Sequence, residues 1–376
     1  MRRKYLFFYL KTGGGHLAPA KAVASVVERD YSSDAEVVLV DGLAGGNKLA
    51  RTIIEDGYSF LQASARWYYA ALYFVNKFSP LGQWTLRLAT LFLKPAVRKR
   101  IEEERPDRII IFHFLLVKPV HDLVRKSGLP IEVITAVTDP FTAHPLWFIT
   151  KGQQFILFSD QLKATCMMKG VPESSIHVFP FPVSLKFSRS MAADEIVQTK
   201  KRLNLEEGRK VVLIFGGADG IPRGARILRD LSALADVNLI IVCGKNTVLY
   251  QQAMSIKSSS GHKHTTVYGY VDFIHDLISV SDLVVSKCGA STFKEILLLG
   301  KIPIVTDYIW EQEKGNVEFL QKHRFGYFEP DLRKLPGLVR SLLDDEQLRS
   351  SITANIRNAE LRNGAEEVAR SLIEEN

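Results

Sequence analysis

Along most of the chain, short apolar runs rich in β-branched residues alternate with stretches whose apolar positions recur every three to four residues. In the first half the runs predict strands at Leu6–Leu10, Val37–Val40, Arg108–Phe112, Glu132–Val137 and Phe155–Phe158. In the second half they predict strands at Val211–Phe215, Asn238–Val242, Thr265–Tyr268, Leu283–Val285 and Ile302–Val305. The later runs are apolar at every position, the pattern of parallel strands covered on both faces. Between them, helical spacing predicts helices such as Leu17–Glu28, Ala225–Leu234, Thr292–Leu299 and Gly315–Lys322. Strand–helix alternation of this kind predicts two doubly wound α/β units. Phe179–Ser190 carries two prolines and no period, so it reads as the linker. The expected division is a first domain over 1–185, a second over 186–355, and a charged terminal helix over about 356–376. That helix either caps the second domain or crosses back to the first.

One stretch breaks the alternation. From Arg66 to Arg100 aromatic residues (Trp67, Tyr68, Tyr69, Tyr73, Phe74, Phe78, Trp84, Phe92) mix with cations (Arg66, Lys77, Arg87, Lys94, Arg98, Lys99, Arg100), and no acidic residue appears before Glu102. Such a segment suits a membrane interface, with anionic headgroups adding about 1 kcal/mol per nearby cation. Its alternative is a helical insertion packed on its own domain.

Length and composition narrow the class. A chain of 376 residues is long enough for two cores, and 46% hydrophobic with 24% charged residues is the balance of a folded globular protein. Three separated cysteines, Cys166, Cys243 and Cys288, form no CxxC pair, which argues against a zinc site or disulfide framework and fits a reducing, cytoplasmic compartment. The apolar run Tyr5–Leu10 is too short for a signal sequence and reads as a first strand. No apolar stretch is long enough to span a bilayer. The net charge of +8 favours an anionic partner such as a nucleotide phosphate or an anionic membrane surface.

Five segments carry candidate chemistry, each at a strand's C-terminal end, where open α/β sheets bind ligands. In Lys11–Thr12–Gly13–Gly14–Gly15–His16 the glycines allow close backbone approach to a ligand, and His16 at the helix entrance is either a general base or a helix cap. Thr138–Asp139 with His144–Pro145 places Asp139 and His144 after the fourth strand, facing a cleft or closing a local turn. Phe215–Gly216–Gly217–Ala218–Asp219–Gly220 has the form of a phosphate-cradling loop. In Ser286–Lys287–Cys288–Gly289–Ala290–Ser291–Thr292, Gly289, Ser291 and Thr292 at a helix N-terminus suit a diphosphate, while Glu295 one turn on either accepts ribose hydroxyls or closes a capping box. The polar cluster Gln312, Glu313 and Asn316, placed before a helix, offers partners for sugar hydroxyls. No aspartate-rich metal motif, other cofactor signature or nucleic-acid motif is present.

Taken in order, these segments resemble the glycosyltransferases that make monogalactosyl- and glucosyl-diacylglycerol. More distantly they resemble the N-acetylglucosaminyltransferase that completes the lipid-linked peptidoglycan precursor. The resemblance runs from about Gly13 to Gln321. It implies the GT-B fold, two Rossmann-like domains facing a cleft, with the last helix returning to the first domain. It implies His16 or Asp139 as base, with His144 on the acceptor side. Gly14 and Gly15 correspond to the N-terminal glycine loop. Tyr270 and Val271 correspond to the uracil-reading strand end. Lys287, Gly289, Ser291, Thr292 and Glu295 match the nucleotide segment, with Glu295 on the ribose. Gln312, Glu313 and Asn316 match the donor-sugar segment. The implied activity is inverting, metal-independent transfer from UDP-glucose or UDP-galactose to diacylglycerol or another lipid acceptor, by an enzyme held peripherally at the cytoplasmic membrane face. Lys11, Cys288, Ala290 and Trp310–Glu311 depart from the family pattern around the nucleotide and sugar pockets. Competing classes are transfer to another lipid-linked or glycan acceptor, a UDP-sugar 2-epimerase, and a non-enzymatic nucleotide-sugar or nucleic-acid binding protein.

Overall fold

The computed structural model describes residues 2–11, 14–44, 51 and 80–374. In chain order the first elements are β1 (Arg3–Tyr9), α1 (Leu17–Asp30), β2 (Ala35–Asp41), α2 (Pro80–Glu104), β3 (Arg108–Ile111), α3 (Phe114–Ser127), β4 (Glu132–Ala136), β5 (Gln154–Leu157), α4 (Asp160–Met168) and β6 (Ile176–Val178). There follow α5 (Ala193–Arg202), β7 (Lys210–Phe215), α6 (Gly224–Leu231), β8 (Val237–Val242), α7 (Thr247–Ser259), β9 (Thr265–Tyr268), α8 (Ile274–Val280), β10 (Leu283–Lys287) and α9 (Ala290–Leu298). The chain closes with β11 (Ile302–Asp307), α10 (Trp310–His323), β12 (Tyr327–Phe328), α11 (Leu335–Asp344), α12 (Glu346–Asn358) and α13 (Ala365–Glu374).

Two compact units result. The first comprises 1–184, 310–312 and 364–376; the second comprises 185–309 and 313–363. In the first unit the strand order is β2-β1-β3-β4-β5-β6, and every pairing is parallel. The chain leaves β1 toward β2 and then turns to the other side with β3, so the winding reverses between β1 and β3. In the second unit the order is β12-β11-β10-β7-β8-β9, again all parallel, and the winding reverses between β7 and β10. Loops at such a reversal leave toward opposite faces and open a crevice at the strands' C-terminal ends.

The cores explain the apolar runs. Leu6, Phe8, Ile109, Ile111, Phe155 and Leu157 are buried in the first unit with Leu93 and Val97 of α2 and Leu116, Val117 and Val120 of α3. Val212, Ile214, Leu239, Ile241, Val285 and Ile304 centre the second. The ten expected strands are all present. Two short edge strands, β6 and β12, were not expected; three and two residues are too few to show a period.

Two expectations change. The terminal stretch Asn355–Glu374 is not one helix: α12 stops at Asn358 and α13 starts at Ala365. Just before α13, a Cβ on Gly364 would lie 1.7 Å from the Pro180 carbonyl oxygen, so the backbone there passes too close for a side chain. α13 then packs on α1, with Arg29 to Glu366 at 2.7 Å and Arg108 donating to the Leu372 carbonyl. Secondly, the polar cluster expected before a helix at Gly315 is itself the first turn of α10, which starts at Trp310. In the aromatic–basic stretch, Pro80 onward is α2, where Leu91 and Phe92 are exposed beside exposed Arg98 and Lys99; Trp67 to Phe78 lie outside the described residues.

Candidate active site

In the first unit the segments after β1, β3 and β4 bring three histidines together. His16 occupies the N-cap of α1 without a side-chain cap bond. It is 4% exposed, and its Nδ1 lies 2.6 Å from Thr138 Oγ1. Burial lowers its pKa to about 4, partly offset by a hydrogen bond to the Phe112 backbone. The imidazole is therefore neutral at neutral pH, the form that accepts a proton. His113 meets it edge-on, ring centroids 4.4 Å apart. His113 caps α3 by accepting the Leu115 N–H at Nδ1 (3.2 Å), and its pKa is held well below the usual histidine value by burial and by His16 and His144. His144 repeats the device, accepting the Leu146 N–H at 3.1 Å, and stacks on Phe114 with centroids 5.0 Å apart.

Asp139, 6% exposed, sits beside them. Trp147 Nε1 donates to its Oδ2 at 2.8 Å, and Gln312 Nε2, grouped with the first unit, donates to its Oδ1 at 2.8 Å. Trp147 is wholly buried and closes the cluster against the core. The turn alternative for Asp139 is thus replaced by a hydrogen-bonded anchor. Gly14 accepts the Ala18 N–H, and Gly15 is exposed with open space where a Cβ would stand. Thr12 and Gly13 lie outside the described residues. His113 was not singled out in the sequence. Its signal is the one that marked His16, a histidine between a strand's end and a helix's first turn.

In the second unit, four loops meet at the C-terminal edge. A Cβ on Gly216 would lie 2.4 Å from the Gly220 carbonyl oxygen, and Gly217 and Gly220 adopt φ of +88° and +77°. These positions require glycine. Gly217 abuts the first turn of α9, its Cβ position 3.6 Å from Thr292 Oγ1. The loop after β8 locks onto this one through Lys245 N–H to Ala218 O at 2.7 Å. Tyr270, after β9, is exposed with Val271 half-buried beside it, and Lys245 Nζ lies 5.9 Å from the Tyr270 ring centroid.

The α9 N-terminus holds polar groups without partners. Among the described residues, buried Ser291 Oγ finds no hydrogen-bond partner, and neither does Ser286 Oγ at the end of β10. The capping-box alternative for Glu295 is therefore absent: Gly289 is the N-cap, with no side-chain cap bond. Glu295 is half-buried, and its carboxyl has no hydrogen-bond or ion-pair partner among the described residues; burial pushes it up to about 7. Lys287 Nζ lies 3.9 Å from Glu313 Oε1, and Glu313 Oε2 accepts the Ile309 N–H at 2.6 Å. Asn316, 1% exposed, donates to the Cys288 carbonyl at 2.7 Å and so fixes the loop that carries Gly289. Cys288 is buried with its thiol pushed well up, far from nucleophilic character. Among the described residues no cluster of three or more metal-ligating side chains occurs, and no helix is long and apolar enough to cross a membrane.

Comparison with known proteins gives this geometry its relatives. Residues 16–183 match the monogalactosyldiacylglycerol (MGDG) synthase family, and residues 211–368 match the glycosyltransferase family 28 C-terminal domain. The chain is 26% identical to the chloroplast monogalactosyldiacylglycerol synthase of Spinacia oleracea over 337 residues, 87% of this chain and 63% of that protein. It thus spans less than two thirds of that plant relative. It is 28% identical to the processive diacylglycerol beta-glucosyltransferase of Bacillus subtilis over 276 residues, 73% of this chain and 70% of that one. A solved glycosyltransferase from Rickettsia africae aligns over 99% of this chain and 97% of its own, with a TM-score of 0.62 at 13% identity. The fold is GT-B.

Proposed function

From a GT-B chain whose first half matches the MGDG synthase family and whose second half matches the family 28 C-terminal domain, we infer a glycosyltransferase that moves a hexose from a UDP-sugar to diacylglycerol. The observation that carries this reading is the pairing of those two halves in one chain. Fold likeness alone would not name an activity. Metal-independent, inverting transfer is the mechanism the residues suit. The diphosphate sits at the α9 N-terminus, where backbone N–H groups and the buried, unpartnered Ser291 hydroxyl meet the charge that develops as UDP leaves. The acceptor hydroxyl attacks the anomeric carbon, the bond to the diphosphate oxygen breaks, and the hydroxyl proton passes to neutral His16. Asp139, held by two donors, keeps Trp147 in place beneath the histidines. Glu295 takes the ribose hydroxyls, Tyr270 and Val271 border the base, and Glu313 lies on the hexose side. The enzyme works at an anionic membrane surface, with the exposed apolar and cationic residues of α2 at the interface.

The test is a radiolabelled-transfer assay offering UDP-glucose, UDP-galactose and UDP-N-acetylglucosamine in turn, with diacylglycerol in anionic vesicles. A labelled glycolipid from one donor establishes donor and acceptor together. UDP binding without any lipid product retains the nucleotide site and overturns the acceptor.

A further inference from the structure

His113 sits in the middle of a run of ring contacts. It meets His16 edge-on at 4.4 Å and stacks on Phe114 at 4.6 Å and 24°, and Phe114 stacks in turn on His144 at 5.0 Å and 20°. Phe114 also meets Trp147 edge-on at 6.0 Å, and Trp147 lies 6.3 Å from His16. His16 is thus bounded by His113, by Trp147 and by the Thr138 hydroxyl.

Two features make His113 more than a packing residue. Its Nδ1 accepts the Leu115 N–H, which fixes the neutral ring's proton on Nε2 and ties ring rotation to the first turn of α3. His113 is also 1% exposed, so its plane has no room to swing. His16 makes no side-chain cap bond on its own helix; its hydrogen bonds run to Thr138 Oγ1 and to the Phe112 backbone. Those bonds hold the edge of the His16 ring, and the fixed ring of His113 packs against it across the β1/β3 reversal.

We propose that His113 is a positioning residue for the transfer reaction, holding the His16 imidazole in its proton-accepting orientation through ring contact. This rests on the reading of His16 as base. The helix cap and the ring contact belong to different atoms, so two substitutions separate them. His113→Asn keeps a good capping side chain and removes the ring. His113→Phe keeps a ring of similar width and removes the cap.

The experiment measures kcat, KM for the donor and thermal midpoint for both variants and wild type, using the full chain in anionic vesicles with diacylglycerol. The expected result is that His113→Asn folds with near wild-type midpoint yet loses about tenfold to a hundredfold in kcat with donor KM unchanged, as misplaced general bases do. His113→Phe is expected to recover most of kcat while losing thermal midpoint. Full kcat in His113→Asn overturns the proposal, leaving a helix cap only. Equal loss of kcat in both variants also overturns it, since the effect then does not follow the ring. Calorimetry with UDP runs beside the kinetics. If wild type binds UDP but transfers nothing, the failure belongs to the assigned reaction and not to His113; His16 ring signals in NMR, shifted in His113→Asn and retained in His113→Phe, then decide the positioning role by themselves, and signals unchanged in both reject it.

Discussion

The C-terminal edges of the two sheets share a topology and differ in chemistry. In the first unit the polar groups satisfy one another: His113 and His144 cap helices, His16 meets Thr138, and Asp139 accepts from Trp147 and Gln312. In the second, glycines clear the space and polar groups are left over, among them the Ser286 and Ser291 hydroxyls and the Glu295 carboxyl. A buried hydroxyl without a partner costs about 1–3 kcal/mol. A binding edge carries that cost because the ligand removes it. The first edge is organised in advance around neutral imidazoles; in the proposed reading the second is completed by a nucleotide.

The sharpest way to break this contrast is at His16. His16→Ala should lower kcat by about a hundredfold to ten-thousandfold while UDP affinity stays within about threefold, since proton transfer is worth that much and the proposed nucleotide site belongs to the other unit. Turnover near wild type would remove His16 as base.

Glycine substitutions test the two loops against each other. Gly216→Ala puts a Cβ 2.4 Å from backbone atoms, and UDP affinity should fall by about a hundredfold with a lower thermal midpoint, because backbone must shift. Gly15→Ala meets nothing within 4 Å and should keep the wild-type midpoint. Equal tolerance of both by thermal melting would erase the distinction.

Acid should weaken the first unit through its histidine. The folded pKa of His16 is about 4 against 6.5 unfolded, so the unfolded chain binds the proton more readily. Its titration leaves stability untouched above pH 6.5 and lowers it progressively, by about 3 kcal/mol in all, as pH falls from 6.5 through 4. Urea midpoints at pH 7.5 and pH 5 should differ less in His16→Gln than in wild type. An unchanged difference would place the sensitivity in other groups.

The smallest effect concerns Glu295. Ribose hydroxyls favour its ionised form, so UDP-hexose affinity should fall about tenfold between pH 8 and pH 6 if the carboxyl titrates near 7. The diphosphate diester does not titrate there, and Glu295→Gln should bind weakly with a flat profile by calorimetry. A sloped profile in that variant would remove the carboxyl from the ribose.

Much of this was legible in the sequence, and for a definite reason. Parallel strands buried on both faces write themselves as unbroken apolar runs, so β7, β8, β10 and β11 could be read almost to the residue. Gly216, Gly217 and Gly289 mark their loops because a missing side chain is visible in the sequence itself. β6 and β12 were not legible, because edge strands of two or three residues have no period to show. The break between α12 and α13 was hidden as well: the close approach that requires glycine at Gly364 is to the Pro180 carbonyl, 184 residues away in the chain.

The sequence by itself determined the two-unit α/β plan, the strand ends where chemistry is placed, and the candidate types at each end. Only the tertiary structure decided how those candidates are used. It seated His113 against His16, turned Asp139 toward Trp147, left Ser291 without a partner and desolvated Glu295. Local pattern depends on neighbours a few residues apart, whereas burial, tautomer and hydrogen-bond partner depend on residues far apart in the chain, such as Asp139 and Gln312, 173 positions apart, that meet only in the folded unit.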